Sequence, residues 1–254
     1  MTQLKDLFPY QTPVVGKSCS GWKSTTGNFR SNMFVINGGV TILSRYEITE
    51  QRQHIYHAMH GSTWDSWANK GIAYARINVK GTSIHILGTH LQADEGHVPH
   101  SESHDIRMTQ IREMKQFLHD DLKLSNTERV IVAGDLNVEY TTEAFRKDLE
   151  SNVRTTIFYE HGMPGSFSPS HNRMAWANAR ANRQPEDRNE TLDYILVPKD
   201  FAPPFRDPMA VVVPLKSSDS WYWKYLAKEC SEKKGMTSDL SDHYPVMATI
   251  EFAL

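Results

Sequence analysis

Val130-Ile131-Val132-Ala133-Gly134-Asp135-Leu136-Asn137-Val138 is an apolar run that ends in a glycine, a carboxylate and an amide. Its four leading aliphatic residues predict a buried strand. Gly, Asp and Asn all favour turns, so the same letters also read as a plain chain reversal. In extended backbone, however, Asp135 and Asn137 stand two positions apart and project to the same side. That arrangement suits a carboxylate and an amide that share one metal-bound phosphate.

Three further segments place polar residues at the ends of apolar strands. Gly88-Thr89-His90-Leu91-Gln92-Ala93 follows a run at 84–87 and puts His90 at a strand end. A lone histidine there is ordinarily a hydrogen-bonded structural residue. Thr191-Leu192-Asp193-Tyr194-Ile195-Leu196-Val197 sets a carboxylate among large apolar residues. Asp193 therefore needs a partner, because an unpaired buried charge is costly. Leu240-Ser241-Asp242-His243-Tyr244-Pro245-Val246 places Asp242 and His243 before the last apolar run. Taken singly, each segment has an ordinary structural explanation. Together they supply acids, imidazoles and an amide in the combination that activates water: an acid orienting a histidine, with a carboxylate near a metal.

Outward from these segments, strands are predicted at 33–36, 40–43, 72–79, 84–88, 130–133, 192–197 and 246–252. Apolar residues at three- and four-residue steps predict a helix over 105–124, with Arg107, Gln110 and Glu113 on its other face, and a second helix covers 142–149. Many strands with few helices favour two packed sheets flanked by helices over a doubly wound parallel sheet. The stretch 168–190 reads as one long polar loop, and a loop of that size is functional or disordered.

The chain has 254 residues and 39% hydrophobic content, enough for one large domain spanning 1–254. Lys and Arg total 28 against 30 Asp and Glu, so no net charge draws the molecule to nucleic acid. Cys19 and Cys230 lie too far apart for a metal knuckle or a redox pair; they are either core thiols or one long-range bridge. No apolar run approaches the roughly 20 residues of a membrane-spanning helix, and the first residues lack the order of a signal peptide.

Gly134-Asp135-Leu136-Asn137, Leu192-Asp193-Tyr194 and Ser241-Asp242-His243-Tyr244-Pro245-Val246 resemble the marks of the endonuclease/exonuclease/phosphatase superfamily. Asn37-Gly38-Gly39-Val40, Ala68-Asn69-Lys70-Gly71, Gly88-Thr89-His90-Leu91-Gln92-Ala93, and Arg107, Gln110 and Glu113 resemble its bacterial neutral sphingomyelinases. The resemblance runs from about Tyr10 onward. It implies a four-layer α/β sandwich of two mixed sheets, and a metal-dependent phosphodiesterase that cuts sphingomyelin into ceramide and phosphocholine. Carried over to these positions, it makes His243 the general base and Asp193 the group that holds its imidazole. Asp135 and Asp242, with Asn137 and His243, serve the metal and its water network. Asn137 binds phosphate, and His90 stabilises developing charge or protonates the leaving oxygen; the two histidines could exchange roles. The implied cofactor is Mg2+, or Mn2+ or Co2+, since hard cations prefer oxygen ligands and neither cysteine sits beside a cluster to favour zinc.

The resemblance also implies a secreted or peripheral membrane protein, a monomer, acting on sphingomyelin in a bilayer. Trp221, Tyr222 and Trp223 offer an apolar foothold at the place of an aromatic hairpin in related enzymes. In two respects the chain departs from the pattern. The family's opening strands, which carry a metal-proximal Asn and the main metal-binding Glu, have no counterpart, so an N-terminally truncated chain is expected. Secreted members often carry a disulfide whose positions fall near Gly61 and Gly96. The competing readings are a nuclease of the same superfamily, which would need a basic groove, and an inactive lipid-binding module.

Overall fold

The computed structural model describes residues 4–32, 34–155, 157–160, 164–182, 184–223 and 235–252. It is an α/β sandwich of mixed sheets with flanking helices. The larger sheet has six strands, ordered Asp193–Leu196, Arg129–Asp135, Thr82–His90, Gly71–Val79, Glu47–Ile55 and Thr25–Gly27. A three-stranded sheet orders Phe158–Tyr159, Met209–Val212 and Val246–Ala248.

The Gly71–Val79 strand is buried on both faces. Ile72 and Tyr74 point into one core with Leu87, Val130 and Val132, while Ala73, Ala75 and Ile77 point into a second with Val15, Trp22 and Ile42. Helix α1 (His100–Gln116) and helix α2 (Glu143–Val153) cover the first core through Ile111, Met114, Leu149 and Val153. A single π-type turn, Phe117–Asp121, ends α1 and buries Phe117 and Leu118.

Four expectations need correction. The nine-residue Glu47–Ile55 strand was not foreseen, because its run of polar residues gives little apolar signal. Gln53 is in fact fully buried and ties Gly16 N–H, the Ser18 carbonyl and Thr25 together. The expected strands at 33–36 and 40–43 shrink to Ile36–Asn37 and Leu43–Ser44, and the last strand stops at Ala248; Met33 lies outside the described residues. Helix α3 (Arg173–Ala181) occupies the middle of the supposed polar loop, with Ala175 and Ala179 buried one turn apart. Cys19 is exposed rather than a core thiol, and Cys230 lies outside the described residues. Among the described residues no helix is long and apolar enough to cross a membrane.

The face of α1 that carries Arg107 and Gln110 is inserted into the fold. Arg107 and Gln110 are each 1% exposed. Arg107 donates to the Gln92 carbonyl at 3.1 Å and to Asp94 Oδ1 at 2.8 Å, and Gln110 receives the Gln92 N–H. Both hold the loop that leaves His90. Breaking a buried pair strands a charge, so Arg107→Ala is expected to cost about 3 kcal/mol of unfolding free energy, measured by chemical denaturation. Burial opposes ionisation of Asp94, but the Arg107 charge and hydrogen bond outweigh it and hold the carboxyl below its usual range. The stabilisation is present above about pH 4 and lost as pH falls through the folded value. Arg107→Ala should therefore flatten the acid limb of the stability profile.

Candidate active site

Asp193 pairs with Asp135 across antiparallel strands, and Asp135 pairs with His90 across parallel ones. These residues thus form one row at the edge of the larger sheet. Along each strand they share a face with Ile195, Ala133 and Ile86, opposite to Leu196, Val132 and Leu87, which enter the α1 core. Alternation alone therefore sends Asp193, Asp135 and His90 away from the helical core and to one side.

Gly134 makes the row possible. Its φ is +147°, and a Cβ there would stand 1.9 Å from the Thr89 carbonyl oxygen. Only glycine lets the strand carrying Asp135 lie this close to the one carrying His90. Asn137 follows in a left-handed turn with φ 52°, so it is not the extended neighbour expected from the sequence. Its N–H donates to Asp135 Oδ1 at 2.9 Å and its side-chain amide to the Leu91 carbonyl at 3.2 Å. The turn, rather than strand alternation, keeps amide and carboxylate together.

His243 reaches the row from outside the sheet. Its Nδ1 lies 2.7 Å from Asp193 Oδ2, which fixes the tautomer with Nδ1–H donating and leaves Nε2 free. The partner that Asp193 required is this imidazole. Phe167 bridges to the His243 backbone and packs its ring 5.2 Å away. Ser166 Oγ accepts from Leu192 and Asp193 N–H, while its carbonyl accepts from Tyr244 N–H. Helix α3 anchors the same loop: Asn172 caps α3 through Met174 and Ala175 and also donates to the Ser241 carbonyl. Asp242 accepts from Asn178 Nδ2 at 2.8 Å.

Asp135, Asp193 and His243 present ligand atoms within 4.8 Å of one another. Asp242 is turned to α3 and stands outside that group, although its charge acts on His243. His90 Nε2 is 3.5 Å from Asp135 Oδ2. Lys70, buried, donates to the Leu91 carbonyl and to Asp65, both at 2.8 Å, just beneath His90.

The charges in the row perturb one another strongly. Burial, then the Asp193 carboxylate, pushes Asp135 up to about 7. Burial works against a charged His243, but the Asp193 hydrogen bond and the Asp135 and Asp193 charges prevail and push it up to about 9. Burial, then the Lys70 and His243 charges, holds His90 below its ordinary value. Two carboxylates packed this closely resist joint ionisation unless a cation joins them. The site therefore fits a hard divalent ion on oxygen donors, with Asp135 as the group whose charge is least compensated.

Sequence reasoning named the row, His243 and Asn137. It missed Ser166, Phe167 and Asn172, whose contributions are backbone hydrogen bonds and a ring contact; the Asn cap ahead of Ala-rich α3 was the one available signal. Trp221 and Tyr222 end one strand of a two-stranded ribbon, Lys216–Tyr222 against Met236–Asp239, and Trp223 follows it. Trp221 Nε1 donates to the Asp239 carbonyl, Tyr222 is half exposed and Trp223 N–H bonds the Gly235 carbonyl. A second apolar patch was not foreseen: Phe34, Ile36, Trp64 and Trp67 are all more than half exposed. Ile36 pairs with Ala68, next to Trp67, and Trp64 N–H bonds Glu95 in the loop after His90.

Residues 3–243 match the endonuclease/exonuclease/phosphatase family. A phospholipase C of Staphylococcus aureus is 32% identical over 98% of this chain and 70% of its own length. A sphingomyelinase C of Listeria ivanovii is 33% identical over 97% of this chain and 69% of its own. Among solved structures, a double mutant of S. aureus beta toxin with bound magnesium ions matches with a TM-score of 0.83 at 32% identity, covering 97% of this chain and 79% of that one. Sphingomyelinase C from Streptomyces griseocarneus matches with a TM-score of 0.81 at 32% identity, covering 98% and 80%.

Proposed function

Since the chain belongs to the endonuclease/exonuclease/phosphatase family and to its bacterial sphingomyelinase C group, we propose that it hydrolyses sphingomyelin to ceramide and phosphocholine in a metal-dependent reaction. The observation that carries this reading is the His243–Asp193 pair at 2.7 Å standing beside the Asp135 carboxylate.

In this reading Asp193 holds His243 with Nδ1 protonated, and Nε2 takes the proton of the attacking water. The water oxygen bonds to phosphorus as the bond from phosphorus to the ceramide oxygen breaks; the departing oxygen takes up a proton from solvent, to which His243 returns the one it accepted. His90, held below its ordinary value by burial and then the Lys70 charge, is suited to donate a hydrogen bond to the charge that develops, which supports the stabilising role over full proton transfer. Asp135 would hold the magnesium ion, and Asn137, fixed by its bonds to Asp135 and Leu91, would offer its amide to the phosphate. Magnesium, when bound, neutralises phosphate charge and eases departure of the ceramide oxygen.

A bilayer substrate asks for interfacial contact, and the Trp221–Trp223 ribbon and the Phe34, Ile36, Trp64 and Trp67 patch are the candidate footholds. Tyr222→Ser and Trp64→Ser should each weaken binding to sphingomyelin vesicles about tenfold, the loss expected when one aromatic no longer enters the interface. Co-sedimentation measures it, and turnover of a short-chain soluble analogue should stay unchanged.

Substrate class is tested by comparing phosphocholine release from sphingomyelin liposomes with nicking of supercoiled DNA under the same magnesium concentration. Release without nicking supports the proposal. Nicking without release would replace it with the nuclease reading.

A further inference from the structure

A second cluster of metal-ligating side chains lies outside the catalytic row, where the Glu47–Ile55 strand, the loop after it and α1 converge. His54 Nε2 and His57 Nδ1 each lie 3.3 Å from Glu113 Oε2. The ligand atoms of these residues all fall within 4.8 Å of one another. A ring N–H bonded to a carboxylate ordinarily sits at about 2.7–2.9 Å. Two donors at tetrahedral zinc distances are instead separated by about 3.3–3.5 Å. Both contacts are at the long end of the hydrogen-bond range and match two edges of a metal tetrahedron, and the third pair lies within the 4.8 Å bound.

The supporting contacts also suit a ligand set. His54 Nδ1 is 2.9 Å from Thr26 Oγ1, which can hold the proton on Nδ1 and leave the Nε2 lone pair facing the cluster. Glu113 is pinned by backbone N–H groups: Ala58 on Oε1 at 2.9 Å and His57 on Oε2 at 2.8 Å. His54 is buried, whereas the His57 side chain is 66% exposed, so solvent reaches the cluster from the His57 side. Two imidazoles and one carboxylate favour a borderline transition cation over magnesium, which prefers oxygen donors throughout.

We propose that His54 Nε2, His57 Nδ1 and Glu113 Oε2 form a second metal site, separate from Asp135, Asp193 and His243, that binds Zn2+ or Co2+ with water in the fourth position. The cation fastens α1 to the 57–63 loop, whose His60 N–H bonds Gln92 two residues beyond His90. Its role is structural, and it does not depend on the sphingomyelin reading.

The test is titration with Co2+ alone and Zn2+ alone on the whole chain in saturating Mg2+, read by the Co2+ visible absorption band and by thermal unfolding. Wild type should give the intense band of a tetrahedral Co2+ at one equivalent. It should also gain about 5 °C in Tm at a hundredfold excess of Zn2+ over its Kd. His57→Ala, a change at an exposed side chain, should lose both signals without loss of the magnesium-only Tm. His243→Ala should keep both. No band in wild type, a band that survives His57→Ala, or a band lost in His243→Ala would each overturn the proposal.

Discussion

Asp193→Asn is expected to lower kcat for phosphocholine release by about 10⁴-fold while leaving KM for sphingomyelin nearly unchanged. The carboxylate meets His243 Nδ1 at 2.7 Å, and an amide placed there can offer its NH2 group and so select the opposite tautomer. His243 Nε2 would then carry the proton and could not accept one from water. A second readout separates this from general damage. The Asp193 hydrogen bond and charge help raise His243, so their loss should move the acid limb of the pH–rate profile to lower pH. Because the two residues act as a unit, the Asn variant combined with His243→Ala should be little worse than His243→Ala alone.

Asp135→Asn should raise the magnesium concentration needed for half-maximal activity by more than the 10–100-fold seen when only a supporting partner of a metal ligand is lost. The same change should make the metal-free protein more stable at pH 8, measured as a higher Tm in EDTA. The sign follows from the direction of the shift: burial and Asp193 push the Asp135 carboxyl up to about 7. A group whose folded value lies above its unfolded value, about 3.9, loses stabilisation as pH rises through the folded value. The penalty therefore grows from about pH 4 to about pH 7 and is complete at pH 8. An amide cannot ionise and escapes it. At pH 4 the two proteins should differ little, and a variant less stable than wild type at pH 8 in EDTA would contradict the repulsion on which this metal assignment rests.

The catalytic row was readable because its residues end apolar strands. The runs at 84–88, 130–133 and 192–197 specify strands by burial alone, and the polar letter at each end then sits at the sheet edge. The registers that align Asp193, Asp135 and His90 were not readable, since pairing depends on contacts distant in sequence. Glu47–Ile55 was missed because Gln53 and His54 are buried through hydrogen bonds, so polarity there does not report exposure. Helix α3 was missed because its buried face consists of two alanines, Ala175 and Ala179, too small to raise the apolar signal above the surrounding Asn and Arg. Arg107 and Gln110 were readable as the face of α1 opposite its apolar one, but their reach inward to the loop after His90 was not.

The most direct measurement is phosphocholine release from sphingomyelin liposomes by the whole chain, with magnesium and with EDTA, beside His243→Ala. Release with magnesium, none with EDTA, and a rate at least about 10²-fold lower in His243→Ala are expected. Release that is insensitive to EDTA, release undiminished in His243→Ala, or no release from a folded wild-type chain in magnesium would contradict the proposed reaction.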